Sequence, residues 1–429
     1  MGRALRHRNY RLFFGGQGIS LIGTWLTRVA TSWLVYRISG SSLALGVVSF
    51  AGLIPIFILA PVTGVWVDRW NRHRVLIFTQ SLSLLQSAAL AWLALRGVIT
   101  IPQIVVLSVL QGMIDAFDMP ARQAFVVELI EDRRDLPNAI ALNSTMFNAA
   151  RLIGPSIAGI LIATVGEGGC FAIDALSYLG VLISLLMMKV RTRTLAPKSK
   201  RVLHEFAEGF RYAMGSVPIR SVLALIAVVS LTGMPYTVLL PVLTRELLHG
   251  GADALGFLTA ASGLGALLGA LYLASRSSVL GLGRIIAGSA AVFGAGISLF
   301  ALSHSMILSL ALMFATGLGM MVGMAASNTI LQTLVDEDKR GRLMSLYTLA
   351  FAGMAPFGSL FAGSVAERIG APGTLIISGG ICVLASLIFM RGLPRIREQI
   401  RPIYRKLGIL PAIASGIRDA SEMGGLPKG

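Results

Sequence analysis

The stretch Gly64-Val65-Trp66-Val67-Asp68-Arg69-Trp70-Asn71-Arg72-His73-Arg74 is short, basic and set between two long apolar runs. The flanking segments, 42–67 and 75–95, are nearly uncharged and about 20 residues or longer, which is the length a helix needs to cross ~30 Å of hydrocarbon. The stretch therefore reads as a tight loop between two membrane-spanning helices, and the rest of the chain can be read outward from it.

The composition agrees. Of 429 residues, 55% are hydrophobic and 13% charged, where a soluble domain carries about 25% charged residues. Twelve spans follow, at 12–36, 42–67, 75–95, 101–127, 137–165, 169–188, 219–244, 253–275, 284–303, 306–334, 343–366 and 372–390. Thirty of the 37 Lys and Arg residues then fall on the side of the N-terminus. Only Arg37, Arg96, Arg245 and Arg368 fall opposite, and Arg28, Arg122 and Arg151 lie within spans. Basic residues concentrate on the cytoplasmic side of membrane proteins, so both termini are expected in the cytoplasm of a cell (inner) membrane protein. The same placement accounts for the net charge of +17 without nucleic acid. The first eleven residues lead into a span too long for the apolar core of a cleaved signal.

Other chemistries find no pattern. Cys170 and Cys382 belong to different spans and are expected as free thiols. The histidines at 7, 73, 204, 249 and 304 have no ligand spacing, so no metal site is expected. The glycine strings 263–269 and 317–323 lie inside spans, where small residues let helices approach closely. A phosphate-binding loop would need a soluble strand-turn-helix unit. No Gly-x-x-x-x-Gly-Lys-Ser/Thr run occurs to support ATP coupling and no pattern suggests a catalytic triad, so the chain is not expected to be an enzyme.

The two halves look like copies. Glu128-Leu129-Ile130-Glu131-Asp132-Arg133-Arg134 follows the fourth span, and the acidic-basic run 336–342 follows the tenth. The next span holds Arg151-Leu152-Ile153-Gly154-Pro155 in one copy and Ala352-Gly353-Met354-Ala355-Pro356 in the other. Two pseudo-symmetric six-helix bundles are expected, at 1–188 and 219–391. A cytoplasmic linker at 189–218 contains an amphipathic helix with Phe206, Phe210 and Ala213 on one face. A basic cytoplasmic tail, 392–429, completes the chain.

Charges inside the bilayer cost at least ~2.5–3.5 kcal/mol each, so they need a partner or a purpose. They are Arg28 in span 1, Asp115, Asp118 and Arg122 in span 4, and Arg151 in span 5, with Asp174 near the outer end of span 6 and none in the interiors of spans 7 to 12. Asp115, Asp118 and Arg122 share a helical face at i, i+3 and i+7, with Pro120 among them. Asp118 is placed to pair with Arg122. Asp115, midway along its span, is a candidate proton acceptor with Arg28 or Arg151 as its positive partner. The alternative is a static ion network joining spans 1, 4 and 5.

Gly64, Asp68, Arg69 and Arg72 match the pattern Gly-x-x-x-Asp-Arg-x-x-Arg, which resembles the loop between helices 2 and 3 of the major facilitator superfamily. The runs Ile22-Gly23-Thr24-Trp25-Leu26, Ser42-Leu43-Ala44-Leu45-Gly46, Pro120-Ala121-Arg122-Gln123-Ala124 and Tyr347 through Pro356 are similar to the branch that holds the enterobactin exporter and the macrolide efflux proteins. The resemblance covers residues 5 to 392. It implies an all-α membrane fold working by alternating access. It also implies a charge relay of Asp68, Arg72 and Glu128 that locks the outward-open state. The matching place in the second half, 270–276, lacks the acid. Gly154, Pro155 and Gly159 are similar to the family's antiporter motif. The Arg of the family's helix-4 motif is Ser108 here, which leaves Arg122 or Arg151 to serve proton coupling. A cavity lined by spans 1, 4, 7 and 10 would draw on Trp25, Arg28, Asp115, Tyr236, Asn328 and Gln332.

The expectation is a monomeric, proton-coupled exporter of an amphiphilic small molecule such as a siderophore or drug, with the proton gradient as energy source and no cofactor. Its partners are that substrate, protons and the lipid bilayer. An uptake symporter or a lysophospholipid flippase on the same fold is the first alternative. A non-transporting membrane sensor or assembly protein is the second.

Overall fold

Each apolar run becomes a helix because its ends are capped where the polar residues fall. The computed structural model describes residues 3–130, 132–190, 202–276, 278–337 and 339–406, the side chains of residues 61, 64, 65, 68, 133, 202–207 and 406 excepted. Every regular element among them is helical. Helix α1 (Arg8–Ser39) ends at Gly40, whose N–H donates to the Tyr36 carbonyl. Helix α2 (Ser42–Arg69) is capped by Ser41, whose Oγ accepts from Ala44 N at 3.1 Å. Helix α3 (Arg72–Leu95) is capped by Asn71, whose Oδ1 accepts from Arg74 N at 3.1 Å. The signature loop is thus two residues long because a cap starts the next helix at once. Helix α4 (Ile101–Glu128) opens on a Thr100–Gln103 capping box.

Helix α5 (Leu136–Leu186) runs for 51 residues. An unbroken helix of that length would measure about 76 Å, more than twice the hydrocarbon thickness. It breaks at Gly166, whose φ of 74° and ψ of 175° suit glycine alone, and so supplies two spans. Helix α6 (Val202–Gly215) precedes α7 (Val217–Val228), a π-helical turn over Val229–Gly233 and α8 (Tyr236–Glu246). Then come α9 (Ala252–Ala274), α10 (Leu282–Phe300) and α11 (Met306–Leu334). Helix α12 (Arg340–Thr348) passes through a second π turn, Leu349–Gly353, into α13 (Ala355–Ile369), and α14 (Ala371–Lys406) closes the described chain.

Ten helices among the described residues are long and apolar enough to cross a membrane. The Gly166 break divides one of these, and α1, with four arginines in its 32 residues, lies along α5 without being among the ten. The arrangement is compatible with twelve spans. Helices α1 and α3 pack on α5, and α2 on α4; α9 and α10 pack on α11, and α14 on α10. The two sets meet where α2 lies on α13 and α5 on α9.

Two elements differ from the sequence reading. The last helix does not stop near residue 390 but continues to Lys406, because Leu393, Ile396, Ile400 and Tyr404 recur at helical spacing and are buried against the second core. Helix α6 turns Gly209 and Ala213, not Phe210, toward the protein: Ala213 is fully buried while Phe210 is 51% exposed. Glu208 and Arg342 form an ion pair at 2.8 Å, and Lys339 lies 4.7 Å from the Tyr212 ring centroid, so α6 is docked on α12. The side chain of Phe206 lies outside the described residues, as does the tail beyond 406.

Candidate transport site

The intramembrane charges converge. Ser20, Leu21, Thr24, Trp25 and Arg28 of α1, Gln80 and Ser83 of α3, Asp115, Asp118, Met119 and Arg122 of α4, and Phe147 and Tyr178 of α5 enclose a pocket of about 530 Å³. Asp118 is buried at its base and paired with Arg122 one turn away. Its Oδ1 also accepts from Thr79 Oγ1 at 2.9 Å and Gln80 Nε2 at 2.8 Å. A buried carboxylate so completely paired is a fixed part of the wall.

Asp115 is held differently. Gln111 Nε2 donates to its Oδ1 at 2.9 Å, and the guanidinium in its electrostatic reach on another helix is Arg28. Arg28 is exposed and lies 5.0 Å from the centroid of the Trp25 ring, as a cation over a π face does. Arg151 has Arg28 and Tyr236 as its electrostatic neighbours. The structure therefore brings Arg28, Asp115, Asp118 and Arg122 to one pocket, with Arg151 beside it. Three buried polar atoms around these groups have no protein partner among the described residues: Gln80 Oε1, Gln111 Oε1 and Arg122 Nε. Buried polar atoms of this kind are satisfied by solvent or ligand.

The remaining candidates are placed as follows. Trp25 lines the pocket, its ring edge-on to Phe147 at 6.5 Å. Tyr236 is only 2% exposed, with its hydroxyl 2.8 Å from Ser262 Oγ, so it stands behind the surface and not on it. The π turn just before it rotates the ring into the packing between α9 and α10. Asn328 and Gln332 bond to each other at 2.8 Å on α11 and line neither this pocket nor the next. Of the signature residues, Arg69 is exposed and Arg72 Nη1 donates to Glu128 Oε1 at 2.5 Å, tying the start of α3 to the end of α4. Gly64 falls within α2, and the side chain of Asp68 lies outside the described residues. A Cβ on Gly154 would sit 2.5 Å from Trp25 Cβ, and one on Gly256 would sit 2.6 Å from the Pro155 carbonyl and 3.0 Å from Gly159 Cα. The Gly154-Pro155…Gly159 run therefore packs α5 onto α1 and, across the two sets of helices, onto α9.

A second pocket, of about 420 Å³, lies in the other set of helices. Met234, Phe293, Met320, Met324 and Phe351 make it apolar. Both π turns contribute to it, through Val229, Ser230 and Phe351, and Ser230 Oγ donates to the Phe351 carbonyl. Sequence reasoning missed the π turns. Pro235 and Pro356, each just past one, lack the N–H a regular helix would use there and were the available signal.

The contacts between the two sets of helices are polar at one end. Tyr36 Oη donates to Glu246 Oε1 at 2.7 Å, and Ser41 Oγ to Glu367 Oε2 at 3.0 Å. Ser49 and Ser359 hydroxyls follow at 3.0 Å. All of these lie toward the end opposite the signature loop.

A many-helix membrane bundle with a charged pocket in one half and an apolar pocket in the other defines a polytopic membrane transporter. The profile of the family described as "Transmembrane secretion effector" matches residues 3–403, and the chain belongs to that family of the major facilitator superfamily. It is 25% identical to the staphyloferrin A transporter of Staphylococcus aureus, over 88% of this chain and 95% of that one. It is 29% identical to the multidrug efflux pump Tap of Mycolicibacterium fortuitum, over 88% and 93%, and 21% identical to macrolide efflux protein A of Streptococcus pyogenes, over 89% and 96%. In fold it is similar to a bacterial homologue of the iron transporter ferroportin, with a TM-score of 0.70, 17% identity and coverage of 90% and 98%.

Proposed function

We propose that this chain is a proton-coupled exporter, an antiporter, of an amphiphilic small molecule such as a siderophore or drug, and that it works by alternating access. The observation that carries the reading is the asymmetry of the two pockets. One half offers Arg28, Asp115 and unpartnered polar atoms, the other an apolar pocket with several methionines, a lining that adapts to varied shapes. Mixed walls of this kind suit a ligand with polar and apolar parts. The relatives named for staphyloferrin A, drugs and macrolides support the same class of substrate.

The chain is a multi-pass membrane protein, and we place it in the cell (inner) membrane with both termini in the cytoplasm. The two bundles, the second carrying α14 on past residue 391 to Lys406, move as two bodies joined by the 189–218 linker, and the protein acts as a monomer without a cofactor or enzymatic step. The polar contacts at Glu246 and Glu367 then close the outer face, and the state described is open toward the cytoplasm. Asp115, which borders the pocket, takes the proton. Arg28 is the cation its charge answers to, so that substrate and proton act on one pair.

Uptake into inside-out vesicles tests this reading. With an acid interior, accumulation of a siderophore, macrolide or cationic dye that collapses on adding a protonophore is the expected result. Accumulation driven only by the opposite gradient would make the protein an uptake symporter. Lysolipid movement without a gradient would make it a flippase.

A further inference from the structure

Three acidic side chains are buried among the described residues: Asp118, Glu167 and Asp174. Asp118 has Arg122 and Glu167 has Arg37, the latter through Nε at 2.7 Å and Nη2 at 3.2 Å. Asp174, 1% exposed, has hydroxyls instead. Its Oδ2 accepts from Thr27 Oγ1 of α1 at 2.7 Å and Ser87 Oγ of α3 at 2.8 Å. Its Oδ1 has Ser177 Oγ at 3.4 Å, but that hydroxyl already donates to the Asp174 backbone carbonyl at 2.7 Å. A buried carboxylate without a cation is costly, and one oxygen left short of donors makes it costlier. A proton on Oδ1 removes both costs, because it donates to the free lone pairs of Ser177 Oγ and leaves both bonds to Oδ2 in place.

The surroundings are built for that arrangement. Gly23 faces the gap between these two atoms, and a Cβ there would lie 2.5 Å from Oδ1 and 2.6 Å from Ser177 Oγ. The groups that meet Asp174 are the Thr27 hydroxyl from α1, Ser87 from α3, Ser177 on α5 itself and, through electrostatic reach, Asp115 from α4. Tyr178, buried beside it, lies in the field of both acids and borders the charged pocket. Asp174 thus sits behind the pocket that holds Asp115.

We propose that Asp174 is a second proton-binding site, carrying an exchangeable proton on Oδ1 directed at Ser177 Oγ. The inference rests on the proton-coupled reading for its role in transport, but not for its existence. Infrared difference spectra of the full chain in proteoliposomes, recorded between acid and alkaline pH, test it. A carboxylic-acid carbonyl band that appears on acidification, persists in Asp115→Asn and is lost in Asp174→Asn is the expected result. Ser177→Ala, which keeps the acid and removes its acceptor, should move that band to higher frequency, and serves if Asp174→Asn does not fold. Spectra unchanged by both variants, or an Asp174 band present at every pH, would overturn the proposal. A titrating Asp174 band in a protein whose transport ignores the pH gradient would uphold the site and sink the coupling reading alone.

Discussion

Gly46 of α2 and Gly363 of α13 lie backbone against backbone: a Cβ on Gly46 would come within 3.0 Å of Gly363 Cα, and one on Gly363 within 2.8 Å of Gly46 Cα. Ser41, Glu367, Ser49 and Ser359 bond across the same seam. Close packing of this kind is possible only because neither residue has a side chain. Gly363→Leu should wedge the seam apart at a cost of about 1–3 kcal/mol to the closed form, which is ~5–150-fold in a two-state equilibrium. Labelling of Ser49→Cys by an impermeant maleimide, with Cys170 and Cys382 replaced, should rise accordingly in Gly363→Leu.

Arg72 and Glu128 are 10% and 20% exposed in their side chains. Arg72→Ala leaves a mostly buried carboxylate short of a donor, at a cost of about 1–3 kcal/mol. Its melting temperature in detergent should fall, and substrate efflux with it. Arg72→Lys, which keeps the charge but not the fork, should restore the melting temperature more fully than the efflux.

The two acids of α4 should separate in assay. Asp118→Asn breaks a buried pair and strands Arg122, which costs about 3–5 kcal/mol, so its main effect is on thermal stability and expression. Asp115→Asn retains the bond from Gln111 and borders an open pocket. It should melt like wild type and lose the response of transport to pH.

Helix α6 offers a contrast between charge and packing. Glu208 and Arg342 are 43% and 32% exposed, and such pairs contribute at most about 1 kcal/mol. Glu208→Gln should therefore leave α6 in place. A Cβ on Gly209 would lie 2.9 Å from Arg342 Cβ, so Gly209→Leu should lift α6 from α12. Faster hydrogen exchange across 208–215 in the second variant only is the expected result.

The class of fold was legible because a membrane allows few structures, and uncharged runs of span length between basic loops announce them. The ion pair of Asp118 with Arg122 was legible because it lies within one helix, at i and i+4. Contacts between helices were not. Asp174 read as lying near a span end, yet α1 and α3 bring Thr27 and Ser87 onto it in the interior. Tyr236 reads as a cavity residue on a regular helical span 7, whereas a five-residue π turn changes the facing of all that follows. The apolar stripe of Leu393, Ile396, Ile400 and Tyr404 is hidden by three interleaved arginines, Arg395, Arg397 and Arg401, which make the segment look like a solvated tail.

Proton flux into proteoliposomes under an imposed pH gradient, with wild type and Asp115→Asn challenged by siderophores, macrolides, cationic dyes and lysolipids, tests the central claim most directly. Flux that depends on one class of these compounds in wild type, and is absent from an Asp115→Asn protein with an unchanged melting temperature, is the predicted result. Folded wild-type protein that moves no protons with any compound, or an Asp115→Asn variant with full substrate-dependent flux, would contradict it.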